Sequence, residues 1–144
     1  MEAVYAPSAA ATQSVAAGSV PGMDKPFVDP PEGPAPTELL IIDLEEGVGP
    51  EAVAGKTVAV HYVGVAFSSG EEFDSSYDRG EPLVFPLGAR RVISGWDNGL
   101  VGMKVGGRRR LVIPPQLAYG DRGAGGAIGP GETLIFVCDL VGVK

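Results

Sequence analysis

The chain has 144 residues, of which 44% are hydrophobic and 20% charged, and its formal net charge is −7. This size and composition fit one globular domain with an appended segment, and the negative charge disfavours binding to nucleic acid or to an anionic membrane surface. The single cysteine, Cys138, excludes an intramolecular disulfide, and with only one histidine beside it a His/Cys zinc site within one chain is excluded too.

Residues 1–36 differ in composition from the rest of the chain. They are rich in Ala, Ser and Pro, so we predict a disordered extension there and a folded domain over residues 37–144. No apolar run reaches the roughly 18 residues that a membrane-spanning helix needs. The first residues also lack the early basic charge and unbroken apolar run of a secretory signal, so we expect a cytoplasmic protein. Because Met23 offers a second start, residues 1–22 can be a cloning-derived extension, a misassigned start or a native tail, and only a native tail could carry a targeting element.

Short apolar segments separated by turns predict a mostly β domain from residue 37 onward. The predicted strands are residues 39–44, 56–67, 71–75, 83–87, 104–113 and 133–143. Alternation in the second strand places Tyr62 on one face with Val60, and His61 on the opposite face. In the last strand Phe136 and Cys138 share a face in the same way. We therefore expect a structural histidine and a buried, reduced thiol.

One helix is predicted, over residues 92–100. Ser94 is suited to cap it, and Asp97 suits its first turn because a carboxylate there interacts favourably with the helix dipole. Residues 116–119 can form one helical turn before a glycine-rich loop over residues 120–131. Many strands with one short helix predict an α+β fold, an antiparallel sheet covering a helix.

Six sequence blocks stand out in the folded region. They are Val60-His61-Tyr62-Val63-Gly64, Phe73-Asp74-Ser75-Ser76 with Asp78-Arg79, Val92-Ile93 with Gly95-Trp96, Gly102-Met103-Lys104-Val105-Gly106, Ala118-Tyr119-Gly120 and Thr133-Leu134-Ile135-Phe136. In this order and at these spacings, over about 108 residues, they resemble the FKBP family of peptidyl-prolyl isomerases. The resemblance implies a five- or six-stranded antiparallel β-sheet wrapped around one short α-helix, with a ligand pocket between helix and sheet.

The resemblance also implies an activity and a set of site residues. The implied activity is cis/trans isomerisation of X–Pro peptide bonds in the service of protein folding, with binding of macrolides such as rapamycin. Matched by position, the catalytic residues are Asp74, Tyr119, Tyr62 and Trp96. The residues that bind substrate or ligand are Phe73, Arg79, Leu83, Phe85, Val92, Ile93, Ile128 and Phe136. The implied partners are proline-containing peptides, unfolded protein clients and macrolides, bound by a monomer that uses no cofactor or metal and contacts neither nucleic acid nor membrane.

Rotation about an X–Pro bond breaks no covalent bond, so such a site needs rings rather than an acid–base pair. The barrier of roughly 18–20 kcal/mol comes from amide resonance, and a dry aromatic pocket stabilises the charge-separated planar amide less than water does. The resemblance makes Trp96 the floor under the prolyl ring and the other rings the walls. It assigns carbonyl binding to the Ile93 N–H and the Tyr119 hydroxyl. Asp74, steadied by Arg79, would orient or polarise the twisting amide.

Several positions at the rim depart from the family pattern. Leu83 stands where many relatives have a pocket aromatic, Arg91 replaces a frequent acidic residue, and Ala124 and Ala127 occupy positions where relatives often carry His and Ile. These departures leave the ligand preference open. Two other functions stay open as well: a module that binds proline segments or macrolides with little turnover, and a holder of unfolded chains. For the latter, the loop over residues 120–131 is too short to contain an inserted domain.

Three features also have simpler interpretations. Trp96 and Phe136 can be ordinary core residues, and Asp74 with Arg79 can be a solvated surface pair that contributes little. The three consecutive arginines at residues 108–110 can form a basic patch. Given the net charge of −7, we interpret them as a solvated strand face.

Overall fold

Six β-strands and two short α-helices make up the described part of the chain, residues 25–28, 33–124 and 128–144 of a computed structural model. The strands are β1 (Leu40–Glu45), β2 (Thr57–Ala66), β3 (Glu72–Ser75), β4 (Leu83–Pro86), β5 (Arg108–Ile113) and β6 (Leu134–Val143), and the helices are α1 (Ser76–Arg79) and α2 (Ser94–Gly99). A 3₁₀ turn at Pro115–Leu117 follows β5. None of the helices in these ranges is long and apolar enough to cross a membrane.

The six strands form one antiparallel sheet. Five of them lie in the order β1-β5-β6-β2-β3, and β4 lies off this path. Strand β4 pairs with the first half of β2, from Thr57 to Val60, and β3 pairs with its second half. The longest pairing joins β2 to β6, from Val58 opposite Val143 to Ala66 opposite Leu134. The predicted α+β architecture, an antiparallel sheet covering a short helix, is confirmed.

The helices differ from the prediction at two points. Helix α1 was not predicted, although the side chain of Ser75 caps it by accepting from the Tyr77 N–H at 3.2 Å and Gly80, with φ of 82°, ends it. Helix α2 begins two residues later than predicted, and its N-cap is Ile93, so the cap prediction for Ser94 is wrong. The physical reason is burial: the side chains next to the helix start enter the core from an extended backbone instead of continuing the helix.

Helix α2 lies directly against β5 on the inner face of the sheet. A Cβ atom on Gly95 would lie 2.5 Å from a methyl group of Ile113, and one on Gly99 would lie 2.8 Å from a methyl group of Leu111. Real Cβ contacts are not that short, so only glycine allows the helix to approach this closely. The approach buries Trp96, which lies between the two glycines, completely.

The outer face of the sheet carries a second apolar cluster, formed by Val63, Val65, Val112, Ile135 and Val137. Val28 packs onto it and is only 5% exposed, whereas its neighbour Phe27 is 86% exposed. Lys25 pairs with Glu72 at 3.3 Å and with Asp78 at 2.9 Å. Residues 25–28 therefore lie across the outer face, while residues 1–24 of the predicted extension fall outside the described part of the chain.

The arginines of β5 are not a solvated face. Arg108 binds the fully buried Asp139 through two hydrogen bonds of 2.6 and 3.0 Å. Arg109 is itself buried; it pairs with Asp43 at 2.6 Å and donates to the carbonyl of Gly99 at the end of α2. The prediction of a solvated strand face is wrong for these two residues, because sheet pairing brings an aspartate opposite each of them.

His61 lies on the outer face, as the alternation in β2 predicts. Its Nδ1 is 2.8 Å from the hydroxyl oxygen of Ser76, and its ring stacks on Tyr77 with a centroid distance of 4.5 Å. Burial, helped by the charge of Arg79, lowers the pKa of His61. Cys138 is completely buried on the inner face, as predicted, and burial raises the pKa of its thiol, which keeps it protonated and unreactive.

A substitution at Val28 tests the packing of residues 25–28. Val28→Ala removes two buried methyl groups and should lower the free energy of unfolding by about 1–2 kcal/mol. Phe27→Ala, the control at the exposed neighbouring position, should change it by less than about 0.5 kcal/mol. Urea denaturation of both variants measures the difference, and equal effects would contradict the docking of this segment.

A second prediction concerns pH. The pKa of His61 lies below its usual value of 6.5 in the folded chain, so the unfolded chain binds a proton more readily. The free energy of unfolding therefore decreases as the pH falls through 6.5. We expect the free energy of unfolding to decrease between about pH 8 and about pH 5. His61→Asn, which keeps an acceptor near the Nδ1 position, should reduce this decrease in urea denaturation. An identical pH dependence in parent and variant would rule out His61 as its source.

Candidate functional site

Five aromatic rings meet between α2 and the inner face of the sheet. The centroid of Trp96 lies 5.0 Å from that of Tyr62, 5.3 Å from Phe136 and 5.7 Å from Phe85. The rings of Tyr62 and Phe136 meet the indole nearly perpendicularly, at 83° and 85°. Phe73 joins the cluster through Phe136 at 5.6 Å. Edge-to-face contacts of this kind stabilise an aromatic cluster beyond the area that it buries.

The local sequence explains why the rings converge. Tyr62 and Phe136 are on the inner face by the alternation of β2 and β6, and Trp96 is held over them by the close packing of α2. Gly64 allows the contact between Phe73 and Phe136, since a Cβ atom at this position would lie 2.7 Å from both rings. Five of the six rings that the resemblance assigned to the site therefore form one cluster, and the sixth, that of Tyr119, packs against the same core.

A hydrogen-bonded triangle lies at the edge of the rings. The Tyr62 hydroxyl donates to Asp74 at 2.6 Å and accepts from Arg79 at 2.7 Å, and the Arg79 guanidinium donates to the other oxygen of Asp74 at 2.6 Å. The same guanidinium stands 5.5 Å from the centre of the Tyr62 ring. The side chain of Asp74 is only 11% exposed, so the pair is not the solvated surface pair of the simpler interpretation.

The Tyr62 hydroxyl of this triangle stays protonated. Burial raises the pKa of the Tyr62 hydroxyl, and the neighbouring charge of Asp74 adds to this effect against the opposing charge of Arg79. The phenol therefore remains a hydrogen-bond donor at any physiological pH. Asp74 also accepts from the Ser75 N–H at 2.9 Å. Three donors thus hold the carboxylate of Asp74 in one position at the edge of the rings.

The remaining predicted site residues surround the rings. Val92, Ile93 and Ile128 are buried in the same cluster, and Leu83 and Tyr119 are partly buried and packed against it. Ile128 is held by two backbone hydrogen bonds with Ala124, whereas Ala127 lies outside the described residues. All twelve predicted site residues thus lie in or beside one cluster.

Two hydrogen-bond donors at this cluster, one on a side chain and one on the backbone, have no acceptor within the described residues. One is the indole N–H of Trp96, which is buried. The other is the N–H of Ile93 at the start of α2. The hydroxyl of Tyr119 is also buried at the cluster. The cluster thus combines apolar rings with donors for one or two carbonyl groups. In the described ranges no group of three or more His, Cys, Asp or Glu residues could hold a metal ion.

Sequence reasoning missed the support beneath the triangle. The Ser76 hydroxyl accepts from the Tyr62 N–H at 2.7 Å and meets His61 on the other side. This bond ties α1, and with it Arg79, to the strand that carries Tyr62. Ser76 lies within one of the sequence blocks noted above, so the signal was present, but a contact between residues 14 positions apart requires the fold.

Comparison with known proteins gives concordant matches. The sequence model of the family described as FKBP-type peptidyl-prolyl cis-trans isomerase matches residues 49–141. An FK506-binding protein of Streptomyces anulatus is 69% identical over 122 residues, covering 84% of this chain and 98% of that protein. A probable FK506-binding protein of Corynebacterium glutamicum is 54% identical over 119 residues, covering 83% and 98%. The crystal structure of AtFKBP13 superposes with a TM-score of 0.69 at 44% identity, covering 76% of this chain and 96% of that one.

The triangle predicts a measurable coupling. Tyr62→Phe keeps the ring but leaves a part-buried guanidinium N–H and a carboxylate oxygen without their partner, so it should lower the free energy of unfolding by about 1–3 kcal/mol. In an Arg79→Met background the same change should cost less, because one stranded group is gone. Urea denaturation of the four proteins gives the coupling energy, and strictly additive effects would show that the hydroxyl and the guanidinium do not interact.

Proposed function

Since the chain belongs to the FKBP-type peptidyl-prolyl cis-trans isomerase family, we propose that the ring cluster around Trp96 is where it accelerates rotation about X–Pro bonds. The observation that carries the proposal is the conjunction of two features in one place. Aromatic rings surround Trp96, and the Tyr62–Asp74–Arg79 triangle stands at their edge. The prolyl ring needs the apolar surface of the aromatic rings. The charge distribution of a twisting amide responds to the charged groups of the triangle.

The rings supply a medium that favours the rotated amide. A planar X–Pro amide carries charge on its oxygen through resonance, and water stabilises that charge. Against Trp96 and Phe136, both completely buried, the planar form loses that stabilisation, whereas the twisted form has less of it to lose. Each tenfold gain in rate requires about 1.4 kcal/mol of such preference.

The polar groups hold the peptide in register. We expect the Ile93 N–H and the Tyr119 hydroxyl to donate to carbonyl oxygens of the bound peptide. Asp74, held in place by Arg79 and Tyr62, then lies beside the rotating bond and favours the form of the amide in which the carbonyl carbon carries partial positive charge. No proton needs to move, in accord with a site that has no acid–base pair.

Entry of the prolyl ring requires a movement at the rim. Trp96 has no exposed surface in this structure, while Phe73, Leu83 and Tyr119 are partly exposed above the cluster. Phe73 and Leu83 are on the short strands β3 and β4, and Tyr119 follows the 3₁₀ turn. These three side chains are the ones that a ligand displaces first.

The same pocket is proposed to bind macrolides. The relatives from Streptomyces anulatus and Corynebacterium glutamicum are FK506-binding proteins by name, and we extend FK506 and rapamycin binding to this chain on that basis. Leu83 and Ala124 at the rim are the positions that set its affinity. Isothermal titration with rapamycin tests the extension, and no heat of binding at micromolar protein would refute it.

We further propose that the protein acts as a monomer in the cytoplasm on unfolded clients that contain proline. Support comes from its negative net charge, which disfavours self-association, and from its single cysteine, which forms no disulfide within the chain. Size-exclusion chromatography with light scattering tests the first part. Fractionation of native cells, with mass spectrometry of the mature N-terminus, tests the second.

Paired substitutions test the catalytic assignment. Asp74→Ala should lower kcat/KM for a proline tetrapeptide in a protease-coupled assay by about tenfold, the effect of losing roughly 1.4 kcal/mol of differential stabilisation. Tyr119→Phe should lower it by a smaller factor. The matched controls are Asp78→Ala on the exposed side of α1 and Tyr77→Phe on the outer face, which should keep the parent value.

The two parts of the proposal fail separately. A parent protein that leaves the proline tetrapeptide at its uncatalysed rate would refute isomerase activity at this site. An active parent whose Asp74→Ala and Tyr119→Phe variants match it would refute only the residue roles. Tight rapamycin binding without turnover would favour the binding-module alternative.

A further inference from the structure

A second carboxylate near the ring cluster, that of Asp97, is not part of the Tyr62–Asp74–Arg79 triangle. Asp97 is in the first turn of α2, directly after Trp96. Its Oδ1 accepts from the Gly88 N–H at 2.8 Å and its Oδ2 from the Arg90 N–H at 3.0 Å. Both oxygens therefore bind the backbone of the turn that joins β4 to α2.

That turn has a backbone that is costly to maintain. Gly88 has φ of +83°, and Arg90 has φ of +63°, the one positive value at a non-glycine residue in the described ranges. A left-handed conformation is unfavourable for a residue that bears a side chain, so other contacts must stabilise Arg90. The two hydrogen bonds to Asp97 are charge-assisted and fall on the two residues with positive φ.

The turn leads straight into the wall of the site. Before it, Leu87 is anchored by backbone hydrogen bonds with Gly55 and Lys56. After it come Val92 and Ile93, both buried against the ring cluster. The Ile93 carbonyl accepts from the N–H groups of Trp96 and Asp97, which closes the segment onto the helix.

We propose that Asp97 is a positioning residue for the isomerase site: by clamping the Gly88–Arg90 turn, it fixes Val92 and the Ile93 N–H relative to Trp96. The inference rests on the proposed function and adds a residue to it. Both oxygens of Asp97 bind the turn and not a group of the ring cluster. Its effect passes through the turn, and this distinguishes it from a carboxylate that only complements the helix dipole.

The route through Arg90 makes the proposal testable by rescue. Glycine adopts positive φ without steric cost, so Arg90→Gly should make the turn less dependent on its clamp. In the protease-coupled assay with a proline tetrapeptide, Asp97→Ala should lower kcat/KM by about tenfold, comparable to one lost charge-assisted hydrogen bond. Asp97→Asn keeps one acceptor oxygen and should lose about threefold. The double variant with Asp97→Ala and Arg90→Gly should recover at least half of the loss in the logarithm of kcat/KM.

The control is Asn98→Ala at the exposed neighbouring helix position, which should match the parent. Circular dichroism first establishes that each variant is folded at the assay temperature, and Asp97→Asn carries the test if the alanine variant is not. Full activity in both Asp97 variants overturns the proposal. An Asp97→Ala loss that Arg90→Gly does not relieve overturns the route through the turn.

Amide chemical shifts separate this inference from the proposed function. In the ligand-free protein, Asp97→Ala should move the amide resonances of Val92 and Ile93 and leave those of β6 unchanged, and Arg90→Gly should reverse part of the movement. This outcome in a parent protein without isomerase activity would refute the function while supporting the clamp. Unmoved Val92 and Ile93 resonances would overturn the clamp whatever the activity.

Discussion

The close contact between α2 and β5 is the constraint on which the site depends. A helix of six residues has little stability of its own, because nucleation costs more than so few hydrogen bonds return. Helix α2 persists because Gly95 and Gly99 let its backbone meet the side chains of Ile113 and Leu111. The residue between these glycines, Trp96, is thereby pressed into the rings of the sheet, and the buried area of those rings stabilises helix and site together.

Polar contacts on the two faces of β2 then fix the orientation of the charged groups. Adjacent residues of β2 point to opposite faces, so Tyr62 enters the ring cluster while His61 faces outward. Helix α1 bridges the two faces at this point. Its Ser76 binds the backbone of Tyr62, and its Arg79 binds the hydroxyl of the same residue. One strand and one turn of helix thus hold the charged pair of Asp74 and Arg79 at the edge of the ring cluster.

Much of this arrangement follows from sequence, and the remainder fails for identifiable reasons. Alternation over ten residues in β2 and β6 is long enough to assign faces, which placed Tyr62 and Phe136 correctly. Helix α1 has four residues, too few to show a period, although Ser75 and Gly80 were its cap signals. The start of α2 was placed two residues too early because Val92 and Ile93 were counted as helical, whereas they are buried before the helix begins, with Ile93 on an extended backbone. Arg109 looked like a surface residue because its partner Asp43 lies 66 positions away.

The electrostatic design of the cluster suits a reaction without proton transfer. Asp74 is saturated by donors, Arg79 is paired, and the Tyr62 phenol has a raised pKa, so the hydroxyl and the guanidinium keep their protons near neutral pH. They form a fixed dipole at the edge of a medium of low polarity, where such a dipole acts more strongly than in water. Rotation of an amide changes its geometry and its distribution of charge and moves no proton. In the proposed mechanism, a fixed dipole beside an apolar floor distinguishes the twisted amide from the planar one, and no group has to recover a proton after each turnover.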